Sequence, residues 1–119
     1  MKEAMLPGEA RFWDLAEPLL GRADVTRSTM MGLPCLRWNG AFFASCDRRT
    51  GGMLVKLAET RVNELVSANR AKPFAPAGRR FREWAAIPER RSRSWKRLLD
   101  EALAYAIDQP VAQKPKTVR

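Results

Sequence analysis

Along the chain, apolar side chains follow a helical period first, a period near two next, and a helical period again at the end. Phe12, Leu15, Ala16, Leu19 and Leu20 predict an amphipathic helix over 9–20, which Pro18 should kink or end and Gly21 should stop. Beyond GRADVTRST the period shortens, predicting strands near 27–31, 34–38, 41–46 and 53–57. Asn39-Gly40 reads as a two-residue type I′ turn, and DRRTGG as the next hairpin connection. AETRVNELVSANR reads as a second helix, with Val62, Leu65 and Val66 inward and Arg61, Asn63 and Glu64 outward. AKPFAPAGRR reads as a Pro/Gly loop leading into a further strand, RFREWAAI, which Pro88 closes.

The strongest period belongs to the last segment. Trp95, Leu98, Leu99, Ala102, Leu103, Ala106 and Ile107 fall on one helical face, with Ser92 or Ser94 as N-cap. After Gln109 the tail PVAQKPKTVR has no apolar period and is expected to be disordered. The organisation is therefore one domain over 9–108 and a basic tail over 110–119, with the element order α-β-β-β-β-α-β-α.

The first tight hairpin sets a register. An unbroken ladder from the Asn39-Gly40 loop opposes Trp38 to Ala41, Arg37 to Phe42, Leu36 to Phe43 and Cys35 to Ala44. Leu36, Trp38, Ala41 and Phe43 then share a core face with Met53, Val55 and Leu57. Cys35, Arg37, Phe42, Ala44 and Cys46 share the opposite face, which Arg37 and Lys56 mark as solvent-facing. The two cysteines become diagonal neighbours with Cα atoms ~7–8 Å apart. An unstrained disulfide spans roughly 4.4–6.8 Å, so free thiols are expected.

Composition removes most catalytic chemistries. At 119 residues the chain holds a core without disulfide or metal staples. Histidine is absent, which excludes Ser-His-Asp and Cys-His nucleophiles, HExxH metal sites and an imidazole base. Two cysteines outside any CxxC pair fall short of a closed tetrahedral zinc site. Asp14, Glu17, Asp24, Asp47, Glu59, Glu64 and Glu83 fall mostly on expected helix surfaces or in turns, as solvated charges. Neither a catalytic residue nor a cofactor is expected. No apolar run approaches the roughly 18 residues of a membrane span. The start MKEAMLPGEARFWDLAEPLL lacks a leader-like apolar core, so a cytoplasmic protein with no membrane partner is expected.

Several stretches in fixed order resemble the N-terminal domain of the TfoX/Sxy family: STMMGLP into CLRWNGAFFA, then MLVKLAETRVNELV, then KPFAPAGRRFREWAAIP and a closing helix. The resemblance covers roughly 9–108. It implies a two-layer α+β domain, an antiparallel sheet of about five strands with helices packed on one side, similar to secretion-chaperone-like and YjbR-like folds. It also implies a role near transcription, since the family takes its name from coactivators of natural competence. Full-length members add a C-terminal domain resembling a helix-hairpin-helix module, and the expectation here is the N-terminal domain alone. The resemblance supplies no catalytic residues.

Charge is what lifts the chain above a bland domain. The net charge is +9, of which +1 falls in residues 1–60 and +8 in residues 61–119. Arg79, Arg80, Arg82, Arg90, Arg91, Arg93, Lys96 and Arg97 stand against only Glu83 and Glu89 nearby. The planar guanidinium suits phosphate. Arginines at the start of the last helix oppose its dipole, and Ser92-Arg93-Ser94 with free backbone N–H groups fits an anion bound there. The competing expectation is that these arginines pair with Glu83, Glu89, Asp100 and Glu101 and serve solubility.

The expected function is a non-enzymatic binding module that touches an acidic protein or nucleic acid through these residues. Contact with DNA backbone should be weak, poor in sequence preference and strongly salt-dependent. An alternative is a protein-interaction scaffold or homodimer using the open sheet face at Phe42, Ala44 and Cys46. A third reading, a small-ligand binder, requires a pocket lined by Trp38, Trp84 or Trp95. Met30-Met31-Gly32 reads as core filling beside a strand, with an adaptable partner contact as the functional counterpart.

Overall fold

The computed structural model describes residues 7–30 and 32–109. In chain order these form α1 (Pro7–Leu20), β1 (Val25–Met30), β2 (Leu33–Trp38), β3 (Ala41–Asp47), β4 (Gly52–Lys56), α2 (Glu59–Ser67), β5 (Lys72–Phe74), β6 (Phe81–Ile87) and α3 (Trp95–Asp108). Short 3₁₀ turns occupy Pro76–Gly78 and Glu89–Ser94. The strands build one antiparallel sheet in the order β1-β2-β3-β4-β6-β5. Phe12 and Ala16 of α1, Val62 and Leu65 of α2, and Leu98, Leu99 and Ala102 of α3 all join one core with Leu36, Met53, Val55 and Ile87 of the sheet. The protein is thus a two-layer α+β domain with its helices on one side.

Local chemistry accounts for most boundaries. Pro7 opens α1, where its missing N–H is one that the helix leaves unpaired anyway. Pro18 falls in the last turn and does not end the helix, which runs on to Leu20 before Arg22 N–H bonds Leu19 O at 3.0 Å. Asn39 (φ +47°) and Gly40 (φ +88°) both lie in the left-handed region that the β2–β3 turn requires. Ser94 makes no capping bond to α3; its hydroxyl donates instead to Arg91 O at 2.9 Å, within the turn Glu89–Ser94 that runs directly into the helix. Ile107, expected on the apolar face, is 42% exposed in the last turn. Met31 and the expected tail over 110–119 lie outside the described residues.

Two expectations about the sheet are corrected. The loop AKPFAPAGRR contains a sixth strand, β5, whose three residues pair with β6 at the sheet edge. Pro73 hides it, because proline lacks the ladder N–H and is tolerated only at an edge.

The second correction is a bulge. Trp38 faces Ala41 and Arg37 faces Phe42 as expected, but Leu36 pairs with Ala44 and Cys35 with Ser45, leaving Phe43 as the extra residue of β3. Phe43 and Ala44 therefore both face the helices, and the alternation beyond them reverses: Cys46 turns into the core while Ser45 and Asp47 turn outward. An unbroken ladder would have put Asp47 among Phe12, Met53 and Ile87, at the cost of burying a carboxylate in an apolar layer. Cys35 and Cys46 consequently lie on opposite faces, both fully buried and both free.

The outer face is not simply polar. Leu54, Phe74 and Trp84 are buried there, with Met30, Leu33, Phe42, Phe81 and Ala86 packed half-buried around them. Arg37 lays its guanidinium 4.4 Å above the Phe42 ring. Ala44 and Cys46, expected on this face, do not contribute to it.

Two acidic residues are buried rather than solvated. Glu9, in the first turn of α1, accepts from Arg48 Nε at 3.1 Å and from Trp13 Nε1 at 3.3 Å, tying the helix to the β3–β4 turn. Gly8 beside it abuts that turn so closely that a Cβ would collide with Gly51 O. Asp47 accepts from the Arg49 backbone N–H at 2.9 Å and fixes the turn from the other side.

Burial pushes the Cys46 thiol up to about 12, with Glu9 and Asp47 adding to the shift, and burial likewise raises Cys35. Because the folded state favours the protonated thiol, this contribution to stability is complete below pH ~9 and is lost as pH rises toward 12. Native protein at pH 8 is expected to leave both thiols unreacted with Ellman's reagent, and urea-unfolded protein to react at both. Rapid reaction of either in the native state contradicts the placement.

Candidate anion-binding site

The arginine-rich segment is built from the ends of three elements. α2 closes with Asn69 in the left-handed region (φ +60°) and Arg70 N–H bonded to Leu65 O at 2.8 Å, a reversal that presents the Arg70 side chain at the helix C-terminus. β6 closes at Pro88, whose carbonyl accepts from Arg91 N–H at 2.9 Å and starts the turn Glu89–Ser94. That turn feeds α3, so Arg90, Arg91, Arg93 and Arg97 come round in successive helical steps beside Arg70.

Together these five arginines and Ser94 line a depression of about 360 Å³ with no acidic residue in its wall. Of the acids expected to neutralise them, Glu89 pairs with none of the five and the other three are engaged elsewhere. Glu101 holds Arg61 through two bonds of 3.0 Å, Asp100 takes Lys96 at 3.1 Å, and Glu83 takes the Tyr105 hydroxyl at 3.1 Å and Lys56 at 3.8 Å. Among the described residues, none of the five forms an ion pair. Arg91 is half-buried, and its Nε is shielded from solvent with no hydrogen-bond partner. Buried donors without acceptors are uncommon in folded proteins. An anion in the depression would accept from such donors and relieve the repulsion among five like charges.

The eight basic residues singled out from sequence separate into two groups. Arg90, Arg91, Arg93 and Arg97 converge in the depression. Arg79, Arg80, Arg82 and Lys96 do not line it: Arg79 lies 5.7 Å from the Phe81 ring, Arg80 donates to Asn63 at 3.2 Å, Arg82 is 3.9 Å from Glu59, and Lys96 is paired as above. Arg70 was missed, since it sits twenty residues before Arg90 and only the return of the chain along β5 and β6 brings it near. The expected use of free backbone N–H groups at Ser92-Arg93-Ser94 changes too. The 3₁₀ turn occupies the end of α3, and Trp95 N–H bonds Ser92 O, so side chains rather than that helix end form the site.

A second hollow adjoins the first. A half-open groove of about 690 Å³ runs over the outer sheet face between the β3–β4 turn and the segment after β5. Leu54, Pro73, Phe74 and Ala86 line its apolar part, Asp47 and Glu89 supply carboxylates, Arg49 and Lys72 supply cations, and Arg90 lines both hollows. Trp38, Trp84 and Trp95 line neither. Trp38 donates from Nε1 to Asp24 at 2.9 Å, and Arg22 with Trp38 holds that carboxyl at about 2, well below the usual range. No helix among the described residues is long and apolar enough to cross a membrane.

Comparison of the chain with protein-family models, with curated proteins and with solved structures finds no match.

Proposed function

We propose that this domain is a non-enzymatic binding module that contacts phosphate groups of nucleic acid, or the acidic surface of a protein partner, through Arg70, Arg90, Arg91, Arg93 and Arg97. The observation that carries the reading is five arginines around one depression without a carboxylate among them. Guanidinium forks recognise phosphate oxygens in pairs, which suits a concave cluster better than a scattered basic surface does. The proposed relationship to the TfoX/Sxy N-terminal domain rests on the ordered motifs of the chain, and a transcription-related role follows from that proposal alone.

The test is fluorescence anisotropy of a labelled duplex over a salt series, with the Arg90→Ala/Arg91→Ala/Arg93→Ala variant and with Arg82→Ala/Lys96→Ala as a control. Each duplex phosphate contact contributes about 0.9 to the slope of log affinity against log salt, so the triple variant is expected to flatten it by about 2–3. The control, whose residues already pair with Glu59 and Asp100, is expected to change it by less than one contact. Absence of binding at low salt removes the nucleic-acid reading and leaves the acidic protein partner.

The outer sheet face supports a second reading, a homodimer or protein-interaction scaffold. Met30, Leu33, Phe42 and Phe81 are half-buried there, in a cluster that among the described residues contains no helical side chain. A monomer in sedimentation at tens of micromolar ends the homodimer version.

A further inference from the structure

We propose that the arginine depression and the adjoining groove form one bipartite site for a nucleotide unit, with phosphates on the arginines and the base in the groove. The proposal rests on the phosphate-binding reading above and names the ligand class. Arg90 belongs to both walls, so one ligand can fill both hollows across a continuous surface. Their volumes, about 360 and about 690 Å³, suit a small ligand, since such sites span roughly 300–1,000 Å³.

The two halves differ in chemistry. The depression is wholly cationic and polar. The groove offers an apolar floor at Leu54, Phe74 and Ala86, with the carboxylates of Asp47 and Glu89 set among Arg49, Lys72 and Arg90. An apolar floor favours a flat, uncharged group over a phosphate, and a carboxylate at its edge accepts hydrogen bonds, so the groove suits the donor-bearing end of a ligand while the depression takes its charge. A nucleobase with an amino group has flat apolar faces and N–H donors on its edge, and therefore meets both features. The Glu89 carboxylate has no partner among the described residues, whereas Asp47 is occupied by Arg49. Glu89 is the acceptor available to that edge. The same unit has two sources, a free nucleoside polyphosphate or an unpaired nucleotide of a single strand.

Titration calorimetry of the full chain at fixed ionic strength, with ATP, inorganic tripolyphosphate and adenosine, tests the proposal, and single-stranded DNA competing against ATP separates the sources. ATP is expected to bind at least about tenfold tighter than tripolyphosphate, the increment a stacked base supplies. Ala86→Phe, which fills the groove, is expected to cancel that advantage and leave tripolyphosphate unchanged; Arg90→Ala is expected to weaken both. Preference for ATP over the strand identifies a free nucleotide, and the reverse a strand-borne one. Equal affinity of the unaltered protein for ATP and tripolyphosphate overturns the groove assignment while leaving the phosphate reading intact, whatever Ala86→Phe does to folding. If neither compound binds but the duplex does, the bipartite site falls alone; if nothing binds, the bipartite site and the phosphate reading fall together and the acidic protein partner is left.

Discussion

Ala44→Asp is expected to cost more than about 4 kcal/mol, a large part of the roughly 5–15 kcal/mol that keeps a domain of this size folded, and to leave little native protein in mild urea. Ala44 is fully buried between Leu36 and Val55 under the helical layer, and among the described residues no buried cation is there to pair a carboxylate. Phe42→Asp, two residues earlier, is expected to cost far less. Phe42 is half-buried on the outer face beneath the Arg37 guanidinium, which can pair with the new charge. The contrast isolates the bulge at Phe43. On an unbroken ladder Ala44 and Phe42 would share the outer face and tolerate the charge alike. Urea midpoints of the two variants decide it; equal midpoints would mean that β3 runs without the bulge.

Trp95→Ala is expected to remove about 3–5 kcal/mol, the usual range for a fully buried tryptophan in a core that cannot close over the gap. The thermal midpoint should fall by about 10–20 °C. Trp95 is wholly buried at the first turn of α3, where it anchors the helix against the sheet. Its Nε1 is also buried without a hydrogen-bond partner. Trp95→Phe should therefore cost much less than truncation, because the lost volume is offset by removing a donor that the fold leaves unpaired. Equal losses for the two variants would show that the indole N–H is satisfied. The turn that ends at Ser94 carries Arg90, Arg91 and Arg93, so Trp95→Ala should weaken polyanion binding below its own unfolding transition, and Trp95→Phe should not.

How far these features were legible in the sequence differs from element to element. The period of Phe12 and Ala16, the Asn39-Gly40 turn, the apolar face of Trp95, Leu98, Leu99 and Ala102, and Pro88 as a stop all act over a few residues, and each appears where its pattern places it. β5 carries the local signature of a loop, because its central residue is proline and its partner is distant in sequence. Cys35 and Cys46 are free thiols, as expected, but the reason is their placement on opposite faces rather than a long diagonal across one face. Arg90, Arg91, Arg93 and Arg97 were legible as a charged run, whereas Arg70 carried no local signal.

The sequence by itself determined the kind and order of the main elements, the turn of the first hairpin and the concentration of positive charge in the second half, because dihedral preference, side-chain period and composition are properties of short stretches. Tertiary structure alone decided which way β3 faces beyond Phe43 and which arginines stand unpaired together. Both depend on partners far along the chain: the helical layer excludes Asp47 and so forces the bulge, and Glu101 and Glu59 reach Arg61 and Arg82 only by proximity in space.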